Sequence, residues 1–236
     1  MDSDVDENLV YDIVNGGLDS GGTCRLMKLS LKSLSGFGNR FTSSHESINN
    51  RSEAENCKLL EIGAGRGELY PFIKGPYSDF RMTDISDRGK LNIQKICDSD
   101  PRVQFEIQDV QNLTYSDAIF DRVIVSCVLA HVNEPFRSFE ELKRVTKSGG
   151  VISIFISADP GLLLRILRKL FVLRKMRNEH FSYKLINAIG HRNHAPGLIE
   201  MARRVFRNDN LSMSYYPFRV KSWNLATHVV INVVVN

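Results

Sequence analysis

The stretch that most constrains this chain is Lys58-Leu-Leu-Glu61-Ile-Gly63-Ala64-Gly65-Arg-Gly67-Glu-Leu. Lys58 to Ile62 reads as a short buried strand carrying an acid near its end. Gly63, Gly65 and Gly67 follow at alternate positions, so the backbone turns sharply and lies close to a ligand with no Cβ in the way. A helix is expected from Glu68, its first N–H groups facing back over the loop. Pro71 then falls in the first turn, where a missing donor is tolerated.

The residues beyond alternate strand and helix. Phe80-Arg-Met-Thr-Asp84-Ile85-Ser is a second strand ending in an acid about 20 residues past the glycines, the spacing at which nucleotide-binding folds hold ribose hydroxyls. Asp87 to Cys97 is a helix, and Val103 to Val110 is an alternating third strand with Asp109 just beyond it. Phe120 to Ser126 is a fourth strand, leading into Cys127-Val-Leu-Ala-His131-Val. Glu134 to Thr146 has helical period, with Phe136, Phe139, Leu142 and Val145 on one side. Lys147-Ser-Gly149-Gly150 interrupts it, and Val151 to Ser157 is a fifth strand. Gly197 to Phe206 is a further helix, and Leu211 to Phe218 and Leu225 to Val235 are the last two strands, Pro217 placing its own near an edge. Such alternation predicts an α/β fold, a parallel sheet with helices on both faces.

Glu-x-Gly-x-Gly-x-Gly after a first strand resembles motif I of the Rossmann-like class I S-adenosylmethionine (SAM) methyltransferases. The dinucleotide fingerprint spaces its third glycine one residue further on. Asp84, Asp109, the strand after Asp121 and the Gly149-Gly150 turn follow in the family's order, and Ser126 to Val132 is similar to the "S-x-x-L-x-H-V" of many small-molecule members. The segment from His191 through Trp223-Asn-Leu also resembles methyltransferases encoded with surface-glycan synthesis genes. The resemblance implies a doubly wound, seven-stranded sheet, mostly parallel with an antiparallel last strand. It implies SAM as cofactor, held by Glu61, Gly63, Ala64, Gly65, Gly67, Asp84, Ile85, Asp109, Val110 and Ser126. In this reading Asp109 accepts from the adenine amine; as a lone residue it equally suits a turn cap. His131, at the carboxyl end of the fourth strand, is the candidate general base, or else a histidine that bonds loop backbone.

Residues 1–57 are read as an N-terminal extension that lids the cofactor, with Phe37, Phe41 and His45 as lid residues. Residues 58–236 are the methyltransferase domain, with 160–196 an insert covering the substrate. From Val151 on there are 13 Lys and Arg against 4 Asp and Glu, while residues 1–150 carry 18 against 23. A basic amphipathic helix spans Leu162 to Leu173: Arg165, Arg168 and Lys169 suit an anionic or membrane-associated substrate, or else the helix simply packs its other side, Leu163, Ile166, Leu167 and Leu170, on the sheet. An acidic start unlike a secretory signal, and four scattered cysteines, point to a cytoplasmic protein, either free or peripheral to a membrane. No metal site is expected: His191 and His194 lack a third ligand nearby in sequence.

The function expected is methyl transfer to a small molecule, at oxygen, of a saccharide or lipid-linked kind. Two other classes stay open. The basic final third suits an RNA-directed methyltransferase or an RNA-binding protein, although no Asn-Pro-Pro-Tyr or Asp-Pro-Pro-Tyr motif follows the fourth strand. The glycine loop also admits an NAD-dependent oxidoreductase.

Overall fold

The computed structural model describes residues 56–73, 76–167, 169–170 and 190–236. The expected lid residues Phe37, Phe41 and His45, Arg168, and most of the 160–196 insert lie outside them. Seven strands, β1 (Lys58–Ile62), β2 (Asp79–Asp84), β3 (Val103–Ile107), β4 (Phe120–Ser126), β5 (Thr146–Ser157), β6 (Asn210–Tyr216) and β7 (His228–Val234), form one sheet in the order 3-2-1-4-5-7-6. The five strands β1 to β5 are mutually parallel, and β7 is antiparallel to both β5 and β6. The antiparallel strand thus enters between β5 and β6, and the edge position falls to β6, where Pro217 ends it without interrupting a central ladder.

Alternation along the strands separates two apolar faces. On one, Leu60, Ile62, Val123, Val125, Ile152, Ile154 and Ile231 pack under helices α2 (Pro135–Val145) and α4 (Ala195–Val205), through Phe139, Leu142, Leu198 and Ala202. On the other, Leu59, Phe80 and Met82 meet Ile93 of α1 (Lys90–Ser99). Helix α3 (Leu162–Leu167) follows β5 and packs on the short 3₁₀ turn Trp223–Leu225.

Three local expectations are corrected. The helix expected from Glu68 is a turn followed by a single 3₁₀ turn, Tyr70–Phe72. With Pro71 inside it, and Gly75 and Pro76 just beyond, too few consecutive donors remain to propagate an α-helix. Phe136 is 41% exposed rather than aligned with Phe139 and Leu142, because it sits at the first turn of α2, off the buried stripe. On the basic helix, Leu162, Ile166 and Leu170 are 52%, 47% and 47% exposed, so its apolar side is not simply packed on the sheet.

At the amino end of the strands, Asp121 ties the sheet together. One carboxylate oxygen accepts the Lys58 N–H at 2.8 Å and the other the Lys147 ammonium at 2.8 Å. The role is structural, far from the carboxyl ends where open α/β sheets gather ligands.

Candidate active site

The glycine loop is held by β2. Gly63 and Ala64 both donate to the Thr83 carbonyl, at 2.8 and 2.9 Å, and Gly65 donates to Asp84 Oδ2 at 3.0 Å. Asp84 Oδ1 meanwhile accepts from Ser86 N at 3.2 Å. Gly63, Gly65 and Gly67 have φ of 77°, 57° and 81°, the left-handed region that a side chain resists. Space is as restrictive as conformation: a Cβ on Gly63 would lie 2.2 Å from Val128 Cγ2. Sequence reading missed Gly89, where a Cβ would lie 1.6 Å from the Gly65 carbonyl oxygen, so the turn before α1 closes directly on the loop.

Glu61 is 1% exposed, and its Oε2 has no hydrogen-bond partner. Burial foremost, then the charges of Glu68 and Asp84, push its pKa up to about 8. A buried carboxyl with an unused oxygen, beside two further carboxylates, is a donor set suited to a cation. SAM presents two, its ammonium and its sulfonium. The backbone turned by Gly63, Gly65 and Gly67 suits the close approach of such a ligand, so the residues present fit the cofactor.

The other expected residues come to the same rim, at the carboxyl ends of β1 to β4. Ile85 is 66% exposed just after Asp84. Asp109 behaves as the turn cap, its Oδ1 accepting the Gln111 N–H at 2.9 Å and its carboxylate also meeting the Gln111 amide. The Val110 side chain is buried in the main core. Ala64 is buried on the β2 side, and Ser126, half-buried, sets its carbonyl 3.6 Å from where a Gly63 Cβ would stand.

His131 lies in the loop after β4 and bonds backbone: its Nδ1 is 2.7 Å from the Gly190 carbonyl oxygen, which can only accept, so Nδ1 carries the proton and Nε2 keeps its lone pair. Burial, then His191 and Arg192, lower its pKa to about 4. Its ring meets that of His191 edge to face, centroids 5.0 Å apart. His191 is buried and bonds Asp159 Oδ2 through Nδ1 at 2.9 Å. Asn193 fastens this segment to the β4 loop: its amide donates to the Leu129 and Val132 carbonyls at 2.9 and 2.7 Å, and its backbone N–H to Ala130 at 3.0 Å. Arg192 bonds Asn133 as well. From sequence, His191 stood as a rejected metal ligand and as the start of a segment of family resemblance; Asp159 and Asn193 drew no attention, since what joins them is contact across 32 to 64 residues.

Residues 60–154 match the model of a family described as a methyltransferase domain. The demethylmenaquinone methyltransferase of Paenarthrobacter aurescens is 27% identical over 168 residues, 71% of this chain and 57% of that protein. The ubiquinone/menaquinone biosynthesis C-methyltransferase UbiE of Ectopseudomonas mendocina is 30% identical over 159 residues, 64% of this chain and 55% of that one. The chain therefore spans about half the length of these relatives. In fold it resembles the N-methyltransferase NodS of Bradyrhizobium japonicum, solved with S-adenosyl-L-homocysteine, with TM-score 0.56 and 13% identity over 83% of this chain and 87% of that one. Among the described residues, no helix is long and apolar enough to cross a membrane. Residues 60–154 are thus similar to a methyltransferase domain, and the sheet built on them has the fold of solved SAM-dependent methyltransferases.

Proposed function

We propose that the protein transfers a methyl group from SAM to a small-molecule acceptor bearing an ionisable hydroxyl, of phenol or enol type. The observation that carries the cofactor half is the unpartnered, buried Oε2 of Glu61 behind a glycine loop pinned to Thr83 and Asp84. Glu61, Gly63, Ala64, Gly65, Gly67, Asp84, Ile85, Asp109, Val110 and Ser126 form the cofactor side. SAM, when bound, supplies a methyl carbon already activated by its sulfonium, so the protein's work is binding, alignment and exclusion of water.

His131 stands on the acceptor side, with Nε2 free to take the hydroxyl proton. An ionised phenol or enol is nucleophilic at oxygen and at the adjacent carbon. One deprotonation thereby accommodates both the oxygen acceptor read from the sequence and a carbon acceptor such as the UbiE relative is named for. Titration calorimetry with SAM tests the cofactor half: micromolar binding is expected, and a folded protein that takes up no SAM rejects the reading. Mass spectrometry of phenolic and enolic acceptors incubated with labelled SAM tests the other half, since fragmentation places the added methyl on oxygen or carbon.

A second reading concerns where the acceptor is met. The exposed Leu162, Ile166 and Leu170 beside Arg165 and Lys169 favour a lipid-linked acceptor at an anionic surface. Flotation with phosphatidylglycerol vesicles is expected to carry the protein up, and Arg165→Glu to release it. Equal flotation with neutral vesicles would remove the charge component of this reading.

A further inference from the structure

His131 on the β4 loop, Asp159 just past β5, and His191 form one cluster outside the residues assigned to the cofactor. Asp159, just past β5, bonds His191 Nδ1 at 2.9 Å, and both side chains are nine-tenths or more buried. The His191 ring meets His131 edge to face, and the Gly190 carbonyl holds His131 Nδ1. The titratable or charged groups facing His131 are then His191 and Arg192, both from the segment before α4, with Asp159 behind His191 on the β5 loop. Asn193 bonds three carbonyls of the β4 loop and fixes the spacing of the two rings.

We propose that Asp159 and His191 are positioning residues for methyl transfer, acting through His131: Asp159 fixes the tautomer of His191, His191 holds the ring of His131, and the Asp159 carboxylate offsets the charge that His131 gains. The assignment rests on the reading of His131 as the base. The acceptor O–H bond breaks, an N–H bond forms at His131 Nε2, and the electron pair stays on the acceptor oxygen. His131 becomes an imidazolium and later returns its proton to water. That cation forms beside Arg192, which opposes it, and the Asp159 carboxylate supplies the compensating charge through the intervening ring. Burial of Asp159 and His191 strengthens the compensating effect, while solvent screens the exposed Arg192.

The signature of this arrangement is coupled titration. The histidine C–H protons are followed by NMR against pH in the full chain, wild type, Asp159→Asn and His191→Gln. Loss of His191 is expected to shift the His131 midpoint upward, since a neighbour opposing its charge is gone; loss of the Asp159 carboxylate shifts it downward. A His131 midpoint that ignores both substitutions overturns the proposal, and this readout needs no methyl transfer. In turnover, Asp159→Asn is expected to lower kcat about tenfold or more with KM and SAM affinity little changed and the acid limb of the pH profile displaced, while Asp159→Glu recovers part of the rate. Parallel loss of SAM binding, kcat and thermal stability in both variants shows a merely structural pair and also overturns it. A wild type that binds no SAM condemns the proposed function instead, and the NMR coupling then decides alone whether the cluster exists.

Discussion

The two halves of this active-site rim are built in opposite ways. The half around β1 and β2 is written almost continuously: strand, three glycines and an acid fall within Lys58 to Asp84, and pairing of β1 with β2 brings Gly65 to Asp84. The half around β4 and β5 is assembled from three distant pieces, the loop holding His131, the turn at Asp159 and the segment Gly190 to Asn193. The first is fixed by sheet register, and the second by side-chain bonds to loop carbonyls. A family motif therefore describes the proposed cofactor half, while the proposed acceptor half depends on residues that have no fixed offset from it.

The sharpest way to break this contrast is Gly89→Ala. Glycine is not required there by dihedral, since φ is −86°. It is required by space, because the nearest atom to a Cβ is a backbone oxygen at 1.6 Å that no rotamer change can move. We expect a loss of roughly 3 kcal/mol in urea-monitored stability, the upper end of overpacking costs, and abolished SAM binding. A variant that retains both would mean that the glycine loop is not held by the turn before α1.

Glu61 sharpens the same half through pH. Its pKa in the folded protein, about 8, lies above the ordinary 4.5. Below pH 4.5 the carboxyl is protonated in both states and stability is undiminished. Between 4.5 and 8 the unfolded chain has released the proton that the folded protein retains, so stability falls as pH rises, by up to about 1.4 kcal/mol per unit. Glu61→Gln should flatten that slope in denaturant titrations from pH 5 to 8. Calorimetry in buffers of differing ionisation enthalpy should further show a proton released as SAM binds, because a cationic ligand favours the carboxylate. Identical pH slopes for variant and wild type would place the titration elsewhere.

Legibility in the sequence follows the same division. Strand order along the chain, Glu61, the glycines, Asp84 and the edge position of Pro217 were readable because each depends on residues within one or two elements. Gly89 was not, since its constraint comes from a carbonyl 24 positions away, nor was Asn193, whose partners lie in the β4 loop. The helix from Glu68 was misread for a local reason: the glycine pattern implied a following helix, and Pro71 with Pro76 overrode it. Of the two readings of His131, the structure shows the bond to loop backbone; its tautomer and lowered pKa belong to burial, Gly190 and His191, the latter two far along the chain.

Asn193→Ala tests the assembled half. It removes two amide donors and leaves the Leu129 and Val132 carbonyls without them. A cost of about 2 kcal/mol follows from unsatisfied acceptors in a half-buried site. SAM affinity should remain within about threefold of wild type while turnover falls further, because the β1 and β2 half keeps its own bonds. If cofactor affinity and turnover decline together, the two halves are one cooperative unit and the division fails.

The smallest effect belongs to Asp121, at the opposite end of the sheet. Asp121→Asn keeps an acceptor for the Lys58 N–H and gives up the ion pair with Lys147, whose side chain is 39% exposed. Solvent screening limits that pair to about 1 kcal/mol or less. The Lys147 ammonium and the backbone donor hold the Asp121 pKa below the ordinary value, so the contribution is present at neutral pH and fades as the carboxylate is protonated in acid. The variant should approach wild type in unfolding as acid protonates Asp121, fall slightly below it at pH 7, and methylate at the same rate. An equal rate matters most: it separates the amino end of the sheet, which only fastens strands together, from the carboxyl end, where the Asn193 substitution is expected to reach the chemistry.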